Sequence, residues 1–230
     1  MSSNYNHIPD VVRSAVELAL DGDYDAARSA LRSINYARLI SERKAAMQGR
    51  HTRLAFELIR TDEAPEPVST GPVALERRRT PVAGSKALAI FERDHFICRY
   101  SHCRKRTIHI PVLRALSVLF PEIVPYHRHW RPLEDHILYW TYATSLEHHV
   151  SFPHGGTSNP ENLITACYQC NDTKNMIRAD ELGWKVADIQ DEDWQGLNNY
   201  LPALKDLLAA WTVGLSRPTK SAASSEDERW

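Results

Sequence analysis

The sequence predicts an α+β fold, a small strand-and-helix core set between helical flanks. Three observations predict it. Helical apolar spacing dominates both ends of the chain. Short β-like runs separated by Gly- and Asn-rich turns lie near the middle. All four cysteines, and nine of the eleven histidines, fall within residues 81–180.

The 230 residues, with 43% hydrophobic and 25% charged, are enough for a real core, and they exclude a disordered chain or a disulfide-dense mini-protein. The first ten residues hold no apolar run of signal-peptide length, and no run approaches a membrane span. A soluble, cytoplasmic protein with no membrane partner is expected.

Residues 1–64 read as helical. Pro9 suits a first helical position, and Val12, Ala15, Val16 and Ala19 recur at helical spacing. Asp21-Gly22-Asp23 is a turn, after which Ala26, Ala27, Ala30, Leu31 and Ile34 form a second stripe. The hairpin resembles half of a tetratricopeptide repeat, but no second copy follows. Residues 36–60 continue as helix with seven basic residues (Arg38, Arg43, Lys44, Arg50, His51, Arg53 and Arg60), read as a solvated face. Residues 65–80 read as a linker on the strength of Pro65, Pro67, Gly71 and Pro72. The core region is 81–180. Residues 181–216 look helical, with Trp184, Trp194, Leu197, Leu201, Leu204, Leu207, Leu208 and Trp211 as the apolar set; 217–230 read as a disordered tail.

The net charge of −1 conceals an uneven distribution. Residues 76–131 carry twelve Lys/Arg and four Asp/Glu, and acidic flanks offset them. Such a basic block is the electrostatic footprint expected for phosphate binding, although a basic loop can also be merely solvated.

Cys98 and Cys103 form one close pair, Cys167 and Cys170 a second. Two such pairs can converge on one tetrahedral Zn²⁺, and four thiolates make a closed, structural site. The alternative is four free, partly buried thiols; His102 could compete with Cys103 as a ligand. Between the pairs, residues 146–151 look like a short strand on which His148 and His149 point to opposite faces, one toward a metal and the other toward a water beyond the scissile phosphate. Residues 153–160 are a turning loop, 162–166 a second strand, and 168–178 a helix whose first turns carry Asn171 toward the metal.

At this point a resemblance is specific. The elements Glu-Arg-Asp-His-Phe-Ile-Cys at 92–98, Leu-Glu-His-His-Val at 146–150, Gly155-Gly156, Asn159-Pro-Glu-Asn-Leu163 and Cys-Tyr-Gln-Cys-Asn-Asp-Thr-Lys at 167–174 resemble the HNH endonuclease family, whose fold is the ββα-metal motif. The resemblance covers about 90–106 and 145–178. It implies that His149 is the general base, a role its near-neutral ordinary pKa suits. It implies that His148 is a ligand of a catalytic divalent cation, and that Asn162 orients His149. Asn171 stands where a third His often stands, making an HNN variant whose amide oxygen suits Mg²⁺ or Mn²⁺. Lys174 is implied as a phosphate contact.

Forty-four residues separate Cys103 from His148, an insert (104–144) longer than the family's usual connection. It holds Arg104, Lys105 and Arg106, candidate nucleic-acid contacts, and a helix-like stretch at 112–120. It is either a packing decoration or a DNA-contacting element. Leu133-Glu-Asp-His-Ile137 imitates the first half of the signature but lacks what should follow, so Asp135 and His136 are read as structural or substrate-contacting. His127 and His129 read as exposed loop residues; His154 is a phosphate contact or has no role. The expected activity is metal-dependent hydrolysis of phosphodiester bonds in DNA. The alternatives are an RNA-directed or toxin-like nuclease using the same site, or a zinc-stabilised nucleic-acid-binding module without catalysis.

Overall fold

A computed structural model describes residues 7–60, 82–131, 134–188 and 193–215, with only the backbone path described for 49–60 and 212–215. The expected linker at 65–80, the tail at 217–230 and Leu133 lie outside these residues.

Helices α1 (His7–Leu20) and α2 (Tyr24–Arg32) form the expected antiparallel pair. Asp23 caps α2 by accepting from the Ala26 N–H at 3.0 Å, and the turn between the helices uses Gly22 at φ +84°. The stripe Val12, Ala15, Val16, Ala19 meets Ala27 and Leu31 with no exposed surface on any of them. Helix α3 (Tyr36–Arg60) follows, and α4 (Gly84–Arg93) opens the central region.

Helix α5 (Ile110–Leu119) lies inside the 104–144 insert, yet Val112, Leu113 and Leu116 are fully buried. It packs against α6 (Ile137–Thr141) and α8 (Leu201–Leu215). Ser117 Oγ and Tyr139 Oη share a 2.8 Å hydrogen bond between α5 and α6. One hydrophobic cluster runs from α1 and α2 through α5 and α6 to Leu204 of α8. The insert's helix thus packs one face into the core and leaves Arg114 and Val118 exposed on the other.

Strands β1 (Thr144–His148) and β2 (Leu163–Cys167) pair antiparallel, from Thr144 opposite Cys167 to His148 opposite Leu163. Helix α7 (Tyr168–Lys174) follows without a break. This is the strand–strand–helix order expected, with shorter bounds: β1 begins two residues earlier and ends at His148, and α7 stops at Lys174. Buried Asp94, just after α4, locks the unit in place. Its carboxylate accepts from Arg99 Nη1 at 2.7 Å, the Thr165 N–H at 2.7 Å and Arg93 Nε at 2.9 Å.

The C-terminal region differs from the expected helix over 181–216. Among the described residues of that span, 201–215 is the α-helical part, preceded by a 3₁₀ turn at Asn198–Tyr200. Residues 184–187 run extended along the first cysteine turn, with Ser101 N–H to Lys185 O at 2.9 Å and Ala187 N–H to Arg99 O at 2.7 Å. Trp194 is buried as an anchor and donates to the Thr107 carbonyl at 2.8 Å. An apolar set fits a loop pinned to a core as well as it fits a helix. No helix among the described residues is long and apolar enough to cross a membrane.

Candidate metal centre and nuclease site

The first cysteine pair sits on a tight turn in which the Cys103 N–H reaches the Tyr100 carbonyl at 2.9 Å and Arg104 takes φ +53°. The second pair sits where β2 becomes α7. The sulfurs of Cys98, Cys103, Cys167 and Cys170 all lie within 4.8 Å of one another, and Cys103 and Cys167 are 3.7 Å apart. Four sulfurs about 2.3 Å from one Zn²⁺ would stand about 3.8 Å from each other, so the cluster fits a tetrahedral ion. All four are free of disulfides. Hydrogen bonds from Cys103, Cys170 and Cys98 pull the Cys167 thiol well below its ordinary value, while burial pushes Cys98 up. The four-cysteine cluster can hold a metal such as zinc.

Lys105 is buried beside this cluster, donates to Gln169 Oε1 at 3.0 Å, and lies 5.2 Å over the Tyr142 ring. Burial works against its charge, but the Cys167 and Cys103 sulfurs outweigh burial and hold it protonated. Its charge is spent on thiolates. Arg104 donates to the Asp188 carbonyl at 2.9 Å. Arg106 pairs with Asp10 at 3.3 Å and lies over the Trp194 ring. Lys105 and Arg106 are thus committed to the fold, because a cation beside buried thiolates or an indole face gains more there than in water, while the Arg104 hydrogen bond lies at the exposed surface.

A cavity of about 400 Å³ opens between β1 and α7, lined among others by Glu147, His148, Tyr168, Asn171 and Asp172. His148 and Asn171, expected at one centre, share it. The Asn171 amide donates to Ser145 Oγ at 2.6 Å and to the Leu146 carbonyl at 3.0 Å, which leaves Oδ1 for a cation. The ring of His148 meets Ser158 Oγ through Nε2 at 3.2 Å.

His149 does not line this cavity. It borders a second one with Trp184 and Lys185. Its Nδ1 is buried without a partner, and burial, then the Lys174 ammonium, lower its pKa. The two imidazoles do face different ways, as alternation predicts, but the one on the shared cavity is His148.

Asn162, expected to orient His149, meets it through the backbone, and its side chain turns to Val150 and Thr157. Its side chain accepts from the Val150 N–H at 2.8 Å and donates to the Val150 carbonyl at 2.9 Å and the Thr157 carbonyl at 2.8 Å. Its own carbonyl takes the His149 N–H at 2.9 Å. It is the clasp between the end of β1 and the glycine loop. A Cβ on Gly156 would fall 1.7 Å from the Val150 carbonyl oxygen, so only glycine fits under that clasp. Lys174, expected on a phosphate, is fully buried. Its ammonium bridges Glu147 Oε1 at 2.7 Å and the His148 carbonyl at 3.1 Å, holding the strand that carries His148.

Among the decoys, Asp135 accepts from the His127 N–H at 2.6 Å, and His136 caps α6 and meets the Tyr36 ring edge-on at 4.4 Å, so both are structural. Arg43 of α3, expected on a solvated face, is instead largely buried. It donates to Asp172 at 2.6 Å and to the Trp140 carbonyl at 2.8 Å, tying α3 to the cavity wall. A contact across 129 residues leaves no local signal. Glu147 and Asp172 went without roles, although both stand beside residues singled out.

Residues 130–176 match the family model of the HNH endonucleases, a span containing α6, β1, β2 and α7. No curated protein and no solved structure matches the chain. The molecule is a mixed helical and two-stranded protein containing an HNH domain, and that domain points to nuclease-type activity.

Proposed function

We propose that the cavity between β1 and α7 is the centre of a metal-dependent endonuclease that hydrolyses phosphodiester bonds in DNA. The observation that carries this reading is that His148 and Asn171 line one cavity with the carboxylate-bearing Glu147 and Asp172. His148, rather than His149, then serves as the general base that takes a proton from the attacking water. Ser158 at Nε2 and Lys174 at the backbone carbonyl fix its position. Asn171 Oδ1 is the hard oxygen donor for Mg²⁺ or Mn²⁺, with the Glu147–Lys174 pair holding the strand behind it. When bound, such an ion stabilises charge on the phosphate and the leaving oxygen. Arg43 keeps Asp172 paired at the cavity wall, and Asn162 with Gly156 keeps the loop closed behind His148. The cysteine cluster holds zinc as a structural ion.

The test is cleavage of plasmid DNA, and of a DNA duplex and its RNA counterpart, with Mg²⁺, Mn²⁺ or chelator. Wild type should cut DNA only with metal, and His148→Ala should lose about 10²–10⁴-fold in rate. Equal cutting by His148→Ala, or no cutting of any nucleic acid with any metal, overturns the reading. Preferential cutting of RNA would move the substrate, not the site.

A further inference from the structure

The second cavity, of about 430 Å³, lies across the 148–150 segment from the first. It is large enough for a small ligand. Trp184, His149, Val150, Arg178, Asp180 and Lys185 line it. Three properties distinguish it from a solvated crevice. Its aromatic wall is built in: Trp184 packs on His102 at 4.2 Å and on Tyr100 at 4.9 Å, and the backbone at 185 and 187 is pinned to the first cysteine turn. The ring of His149 borders the cavity, and its Nδ1 is buried without a hydrogen-bond partner. The fold itself leaves that nitrogen's hydrogen-bonding capacity unused. The lining also mixes an indole, apolar Val150 and Val186, two cations and one carboxylate. A bare phosphate would gain nothing from the indole, the valines or Asp180. A nucleotide suits the rest of the lining: its base stacks on the indole and meets the valines and the imidazole, and its phosphate lies beside Lys185, while Arg178 and Asp180 pair with each other at 2.7 Å at the cavity edge.

We propose that this cavity binds a nucleobase of the substrate strand flanking the phosphodiester that His148 faces. The inference rests on the nuclease reading for its position along the strand but not for the binding itself. His148 and His149 are consecutive, so one strand crossing the 148–150 ridge meets both cavities. The zinc turn acquires a second task, that of holding the stacking wall in place.

The experiment uses the full chain carrying His148→Ala, which should bind without cutting. Its probe is a fluorescein-labelled single-stranded DNA series in which one abasic site is moved along the strand. One position should stand out, with affinity lower by about 10-fold or more. Trp184→Leu should erase that contrast while Trp184→Phe keeps it, with zinc content checked in both. Lys185→Glu, at an exposed residue whose change leaves the fold intact, should weaken every probe. A flat abasic series that is indifferent to Lys185→Glu overturns the inference even where wild type cuts DNA, and the nuclease reading then survives alone. A clear abasic contrast in a protein that never cuts nucleic acid sustains the pocket and overturns the nuclease reading.

Discussion

The cysteine cluster and the His148 cavity share α7 yet are built on opposite principles. In the cluster, four side chains converge within 4.8 Å, and the buried Lys105 balances their charge. Nothing there faces solvent as a reactant. In the cavity, the polar groups line open space and are held from behind by neighbouring elements. Lys174 and Ser158 fix His148, Ser145 fixes the Asn171 amide, and Arg43 fixes Asp172. A site that only has to exist closes on itself, while a site that has to react must pay with open valences, so its supports lie one layer back.

The largest effect that would break or sharpen this contrast belongs to the cluster. Cys167→Ser should abolish zinc retention and cooperative thermal unfolding of the 81–180 region, measured by metal analysis and circular dichroism, because structural zinc supplies folding free energy directly. A normal melt in metal-free protein would show the cluster to be dispensable. On the cavity side, His148→Ala should lose about 10²–10⁴-fold in cleavage rate with an unchanged melting temperature. His149→Ala should stay within about 10-fold in the chemical step, and a reversal of this order would return the base to His149.

The supports come next. Glu147→Gln leaves a buried ammonium unpaired and should cost about 3–5 kcal/mol in denaturant unfolding. Part of that cost should return in Glu147→Gln with Lys174→Met, and its failure to return would mean that the pair is not coupled. Acid probes the helical frame that carries both regions. Burial lowers His136 from 6.5 to about 4. The unfolded chain therefore binds the proton first, and stability falls as pH drops from about 6.5 to about 4, by about 3 kcal/mol. His136→Asn keeps a cap acceptor for the Leu138 N–H and should flatten that part of the pH–stability curve. The slope that remains is shared by His102, His109 and His149, which burial also lowers, and by the Cys167 thiolate. The smallest effect is Gly156→Ala, about 1–3 kcal/mol from the clash with Val150, with cleavage falling as the clasp at Asn162 shifts.

What the sequence by itself determined is what local spacing can carry. Helical periodicity located α1, α2 and α5 within a few residues. The cysteine pairs marked a metal cluster, because thiolate pairs at short spacing need only a turn to converge. The strand–loop–strand–helix order around His148, Asn162 and Asn171 was legible because those residues lie within 24 positions of one another in a single unit.

Only the tertiary structure decided which way charges and rings face. Lys174, Lys105 and Arg106 looked like phosphate contacts until their partners Glu147, the cysteine sulfurs and Asp10 came into view. Trp184 and Trp194 fitted a helix until the chain around them proved to be pinned to the cysteine turn and to Thr107. His148 and His149 are equivalent as neighbours in sequence; a two-strand sheet ending at His148 puts one imidazole on the cavity shared with Asn171 and the other beside Trp184. Spacing along a chain sets which residues can share an element, but the partner that neutralises a charge or fills a face comes from an element far away in sequence, and packing alone selects it.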